Sequence, residues 1–316
     1  MWAQVARSRR LVEVDRELLP TPDGDEVVLD HLRDGAGRSP RLLVLHGLEG
    51  STFSSYAQGM LALAASRGLG ATVFNFRSCA RRLDDRKTWI PNRRPRLYHS
   101  GETSDLDHVV RTLSGREPEV PLLAVGVSLG GNVLLKWLGE HPDQIMVRAA
   151  ATISVPYDLG VGARYLRRPM GRVYFRHFHA TLVAKLSHLL SSFTEVRELV
   201  DIRAARRARD FVAYDAAATA PLHGFESADD YYERSSAVGF VGHIATPTLC
   251  VSAADDPFLP SSVLDRVRDV ASDAVDLRVS PAGGHVGFVS GTSPRHVTYW
   301  AETTVLDWLE TAERAS

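Results

Sequence analysis

Three short runs in this sequence could carry out nucleophilic chemistry, and each would hold its reactive residue at the end of a β-strand. Ser128 stands in Gly126-Val127-Ser128-Leu129-Gly130, directly after the apolar run Pro121–Val125 and at the start of the helix-like stretch Leu129–Leu138. G-x-S-x-G between a strand and a helix is the pattern of a nucleophile elbow. The serine of such an elbow takes a strained backbone so that its hydroxyl stands clear of the chain. A side chain at 126 or 130 would collide with the neighbouring strand or the helix, so both positions call for glycine. The helix beginning at Leu129 also aims N–H groups and its positive dipole end at any oxyanion forming beside Ser128.

A serine hydroxyl is a weak nucleophile until a base takes its proton, and the base needs an acid to orient it. Two later positions suit these roles. Asp255 and Asp256 lie in AADDPFLP (253–260), after the strand-like run Thr248–Val251, and His285 lies in AGGHVGF (282–288), after Val275–Val279. Of the two aspartates, Asp256 is the expected acid, because D-x-x-x-P with Pro260 suits a carboxylate turning off a strand end; Asp255 is the expected turn former. The glycines before His285 give its loop freedom to swing the imidazole over the serine. The loop after the strand Arg41–Leu45, in HGLEG (46–50), is expected to donate an oxyanion N–H from Leu48, with Leu129 as the other donor. His46 in that loop reads as a structural histidine.

These residues need a scaffold that brings strand ends together. Leu11–Leu18 and Glu26–Leu32 flank Pro22-Asp23-Gly24-Asp25 and predict an antiparallel hairpin. Short apolar runs at 41–45, 71–76, 121–125 and 148–155 predict buried strands. They alternate with helical stretches at 53–67, 102–113 and 129–138. This alternation predicts an α/β fold with a mostly parallel central sheet and helices on both faces, and an active site at the carboxyl ends of the strands. Alternation stops between Pro156 and Gly242, a helical stretch rich in arginine and aromatics. It resumes with the runs at 248–251 and 275–279 and a closing helix at 297–309. The expected organisation is a core of residues 1–155 and 243–316 interrupted by a helical cap, 156–242.

Other features exclude or demote competing functions. The chain has 316 residues, 44% of them hydrophobic and 24% charged, and a net charge of −1, which gives no global reason to bind nucleic acid. Two cysteines, Cys79 and Cys250, form no disulfide framework and suit a reducing cytoplasm. The N-terminal stretch lacks a secretory pattern, and no run reaches the roughly 18 apolar residues of a transmembrane helix. A cytoplasmic location is expected. His99, Glu102, Asp105, Asp107 and His108 have the composition of a metal site but fit a helix N-terminus better, with Ser100 or Thr103 as cap. No metal and no cofactor is expected. The cap arginines fit a solvated basic face, with weak peripheral membrane contact as the alternative. Oligomeric state has no signature in the sequence.

The chain also resembles the YheT-like branch of the α/β-hydrolase superfamily. The resemblance rests on LHGLEGS (45–51), FNFRSC (74–79), YHSGETSDL (98–106), GVSLGGNVLLKWLGE (126–140), DYYERSSA (230–237), ADDPF (254–258) and GGHVGF (283–288), in order along nearly the whole chain. It implies the α/β-hydrolase fold and a Ser128–Asp256–His285 triad. Together with the residues themselves, it predicts a serine esterase (carboxylesterase-like) that cleaves short- to medium-chain or lipid-like carboxylic esters through an acyl-enzyme. Such a protein would belong to lipid metabolism. Acyl transfer to an alcohol and a non-catalytic ligand-binding protein on the same fold are the alternatives.

Overall fold

The computed structural model describes residues 11–33, 40–293 and 296–315. The extreme N-terminus, where a leader would lie, falls outside the described residues. Val14–Pro20 (β1) and Glu26–Leu32 (β2) pair antiparallel around a turn in which Gly24 takes φ 79°. The first strand begins three residues later than the apolar pattern suggests. Arg41–Leu45 (β3), Gly70–Asn75 (β4), Leu122–Val127 (β5) and Val147–Ile153 (β6) follow, separated by the crossover helices Ser55–Ser66 (α1), Ser104–Arg116 (α2) and Leu129–Glu140 (α3). These strands are buried along almost their whole length. Their runs therefore read as continuously apolar, as expected where helices cover both faces of a sheet.

After β6 the chain leaves the sheet for a run of helices: Leu159–Tyr165 (α4), Pro169–Ser192 (α5), Val196–Leu199 (α6), Ile202–Arg207 (α7), Phe211–Tyr214 (α8), Ala220–Leu222 (α9) and Ala228–Ser235 (α10). The link between α8 and α9, Asp215–Thr219, is a π-helical turn. Much of this segment packs on its own apolar cluster, with Phe175, Leu186, Leu189, Val196 and Tyr214 at its centre. The chain then returns through Thr248–Ala253 (β7), Ser261–Val270 (α11), Val275–Ser280 (β8), the hairpin Val289–Ser293 (β9) and His296–Tyr299 (β10), and Trp300–Ala315 (α12).

The main sheet has the order β1-β2-β4-β3-β5-β6-β7-β8, parallel from β4 to β8, with β2 antiparallel to β4. On one face α2, α3 and α11 bury Leu106, Val109, Val133, Trp137 and Val263. On the other, α1 and α12 bury Met60, Leu61, Val305 and Leu309. Strand β3 has β4 on one side and β5 on the other, so successive crossovers diverge there. The carboxyl ends of β3 and β5 thus flank a topological switch point, where such sheets leave a crevice.

Two further boundaries differ from expectation. The expected closing helix begins at 297, but Val297–Tyr299 belongs to the strand paired with β9, consistent with the strand preference of Val, Thr and Tyr. Helix α2 starts at Ser104 rather than Glu102, and neither Ser100 nor Thr103 caps it. The Thr103 hydroxyl donates to Glu140 instead, and the Glu102 carboxylate accepts from the Ser104 N–H at 2.9 Å.

Candidate active site

Ser128 sits between β5 and α3 with φ 52° and ψ −118°, its N–H held by the Ile153 carbonyl at 2.8 Å. The glycines around it are sterically required. A Cβ on Gly126 would lie 2.6 Å from the Gly130 carbonyl oxygen, and one on Gly130 would lie 2.5 Å from that of His46. Strand, turn and helix approach too closely for any side chain there. That close approach carries the Ser128 hydroxyl out at the rim of the sheet.

The loop after β7 brings Asp256 to the same rim, and the loop after β8 brings His285. The Asp256 carboxylate accepts from His285 Nδ1–H at 2.9 and 3.2 Å. This leaves Nε2 with its lone pair toward the Ser128 hydroxyl, 2.9 Å away. Asp256 is buried, and its Oδ1 also accepts the Phe258 N–H at 2.8 Å. Asp255 does different work: its Oδ1 accepts the N–H groups of Gly283 and Gly284 at 2.9 and 2.8 Å and so staples the histidine loop to the β7 end. The Ser154 hydroxyl accepts the Val286 N–H at 3.2 Å, and the Phe258 ring stacks on the imidazole with centroids 4.0 Å apart. Val286 has φ 63°, a costly conformation for a β-branched residue. The loop is therefore held by contacts rather than by preference.

Leu48 and Leu129 line the cavity in front of Ser128, and their N–H groups have no hydrogen-bond partner among the described residues. His46 is fully buried; its Nδ1–H donates to the Gly47 carbonyl at 2.8 Å and its Nε2 accepts the Phe76 N–H at 3.1 Å. Burial lowers its pKa to about 4, so it serves as a neutral brace for its loop.

The next residue, Glu49, has φ 55° and a buried carboxylate that pairs with Lys185 of α5 at 2.7 Å. Its N–H donates to the Tyr98 hydroxyl, which in turn donates to Glu49 Oε1, at 2.7 and 2.9 Å. Glu49 Oε2 is buried without a partner among the described residues. Sequence reasoning missed this knot, although a lone lysine in the apolar run TLVAKLSHLL (181–190) was a signal for it.

The other candidates disperse. Arg77 is buried in ion pairs with Asp25 and Asp105 beneath the rim. Glu102 pairs with Arg96, Asp107 with Arg111, and His108 meets the Pro20 carbonyl. His99 is buried against His223, Phe225 and Tyr231, and burial lowers its pKa to about 3. Among the described residues no group of three such side chains converges as a metal site. Of the arginines in the helical segment, Arg164 and Arg167 pair with Asp229 and Asp210, and Arg168 lies over the Tyr165 ring. Cys79 is buried beside Lys185, and desolvation raises its thiol pKa to about 11. No helix among the described residues is long and apolar enough to cross a membrane.

The cavity holds about 690 Å³, within the range of small-molecule sites. Its floor is the sheet rim with Ser128 and His285. Much of its remaining wall comes from the helical segment, including Leu166, Val173, Phe178, Leu182 and Tyr232. Residues 80–96 line none of it; they fold back on the β1–β2 turn, where Asp25 accepts the Arg93 and Arg94 N–H groups.

Comparison with known proteins agrees with this architecture. The family model described as serine aminopeptidase S33 matches residues 100–288. YheT of Escherichia coli (strain K12) is 37% identical over 93% of this chain and 84% of its own. Phospholipase ABHD3 of Mus musculus is 32% identical over 92% of this chain and 70% of its own. A monoacylglycerol lipase of Saccharomyces cerevisiae is 28% identical over 93% of this chain and 67% of its own. Among solved structures, the Pyrococcus furiosus esterase Pf2001 superposes with a TM-score of 0.57 at 14% identity, covering 98% of this chain and 97% of that one. Mouse α/β-hydrolase domain-containing protein 10 also gives 0.57 at 14% identity, covering 94% and 99%. The fold is that of the α/β-hydrolases, and the relatives are of esterase and lipase type.

Proposed function

We propose, since the chain belongs to the YheT-like family of α/β-hydrolases, that this esterase/lipase-type hydrolase cleaves carboxylic esters through Ser128, His285 and Asp256. The observation that carries the reading is the continuous line of hydrogen bonds from Asp256 through both imidazole nitrogens to the Ser128 hydroxyl. Ser128 Oγ attacks the ester carbonyl carbon as its proton passes to His285 Nε2. The carbonyl oxygen gains negative charge and accepts hydrogen bonds from the Leu48 and Leu129 N–H groups, which have no other partner to give up. Asp256 stabilises the imidazolium, which protonates the departing alcohol and leaves an acyl-serine. His285 then takes a proton from water as the water attacks, and Ser128 departs with that proton.

Residues 156–242 act as a cap over the core formed by 1–155 and 243–316. The cap's leucine, valine and aromatic side chains hold the acyl chain, which favours short- to medium-chain or lipid-like esters. Two buried thiols, Cys79 and Cys250, fit work in a reducing cytoplasm.

The test is labelling by a fluorophosphonate probe together with hydrolysis of p-nitrophenyl esters of increasing chain length. Wild type is expected to label and turn over, with Ser128→Ala losing both. A wild type that neither labels nor hydrolyses any ester overturns the reading. Added ethanol separates the two acceptors, free acid marking hydrolysis and ethyl ester marking acyl transfer.

A further inference from the structure

Two carboxylates line the cavity, Glu49 and Asp215, and they differ in how their charge is met. Glu49 has Lys185. Asp215 has only neutral donors: Thr219 Oγ1 donates to Oδ1 at 2.6 Å and Tyr232 Oη to Oδ2 at 2.6 Å. No lysine, arginine or histidine lies within ion-pair distance of it among the described residues. A second carboxylate, Asp210, adds negative charge to its surroundings and is itself paired with Arg167. His99 lines the same cavity but is neutral, so it offsets nothing.

Each Asp215 oxygen accepts a hydroxyl hydrogen, as a carboxylate does, and desolvation raises its pKa to about 6. A half-buried charge without a counter-charge still costs stability. Its hydrogen bonds are already supplied by hydroxyls, so what the wall lacks is positive charge. Beside it stand the cavity-lining rings of Tyr214, Tyr231 and Tyr232, the last two with centroids 5.2 Å apart. Aromatic rings beside a carboxylate suit a diffuse organic cation. A hard metal ion would need several more oxygen ligands, and none converges here among the described residues.

Local structure supports the same assignment. Asp215 opens the π-helical turn Asp215–Thr219, a distortion that recurs at functional sites and here folds Thr219 back onto the carboxylate. The Tyr231 hydroxyl accepts the Ser100 N–H at 3.1 Å. Asn132 of the elbow helix donates to the carbonyls of Ser100 and Ser235 at 2.8 and 2.7 Å. The tyrosines are thus fixed relative to the elbow that carries Ser128.

We infer that the cavity contains a subsite for an ammonium group carried by the ester substrate, formed by Asp215 with the rings of Tyr214, Tyr231 and Tyr232. The inference rests on the esterase reading for turnover, but the binding of the cation does not.

The test compares matched esters in which a trimethylammonium group, on the alcohol or on the acyl side, is replaced by the isosteric neutral tert-butyl group. Wild type is expected to favour the cationic member of one pair by about tenfold or more in kcat/KM, with Asp215→Asn lowering that ratio by about tenfold. Tetramethylammonium should inhibit hydrolysis of the neutral esters competitively. Its binding to Ser128→Ala by calorimetry needs no turnover and keeps the native cavity wall. No cation preference in either pair, or a preference that survives Asp215→Asn, overturns the subsite. So does absence of tetramethylammonium binding. Binding of the cation without hydrolysis of any ester would sink the esterase reading and leave the subsite standing.

Discussion

Asp256 and Asp255 are adjacent and both carboxylates, yet they face different donors. Asp256 meets an imidazole, while Asp255 meets two glycine N–H groups. Asp256→Asn should lower kcat by about 10³–10⁴, because an amide there no longer fixes the tautomer that leaves Nε2 free. Asp255→Asn should cost far less in kcat, since the loop keeps its Ser154 and Phe258 contacts. Ester turnover by the purified variants checks both. Asp215 gives a prediction in pH. Desolvation raises its pKa from the ordinary 3.8 to about 6, so folding favours the protonated acid relative to the unfolded chain. The associated stability is fully present below pH 3.8 and is lost as pH rises through about 6. Asp215→Asn should therefore raise the melting temperature at pH 8 and change it little at pH 4, with a gain of about 1–3 kcal/mol; unfolding scans at the two pH values decide it. The serine, the histidine and the aspartates were legible because each sits in a local run with its own strand and turn. Asp215 was not, because its significance depends on Tyr232 and on the absence of a cation, and neither is a property of neighbouring letters.

Helix α5 reaches under the rim to place Lys185 against Glu49, the residue after Leu48. Removing one partner leaves an uncompensated buried charge. Lys185→Met should destabilise by about 3–5 kcal/mol, and adding Glu49→Gln should recover a large part of that loss. Denaturant titration of the two variants and the wild type measures the difference, and equal stability of the single and double variants would show that the pair is not coupled. The order of strands and crossover helices was readable from the sequence, because fully buried parallel strands give unbroken apolar runs. The β9–β10 hairpin was missed because it abuts a helix with similar apolar spacing. The seven helices between β6 and β7 are mostly short and turn on one another, so no single period describes them.

At the scale of the molecule, the cavity lies where the carboxyl rim of the sheet meets the helical segment, and its volume limits what can lie along it. Turnover of p-nitrophenyl esters should peak at short to medium acyl chains and fall for long ones. Leu182→Trp, which adds bulk to the wall, should move the optimum to shorter chains; a kcat/KM series against chain length checks this. The Lys185–Glu49 bond also bears on modular engineering. The helical segment between β6 and β7 invites exchange for another hydrolase's to change substrate range. Yet that segment carries Lys185, the only base among the described residues bonded to the carboxylate that stays behind beside Leu48. A graft lacking a lysine at that place would inherit a stranded anion in the cavity wall beside Leu48. Successful chimeras should therefore be those that import the base or discharge Glu49 in the same step.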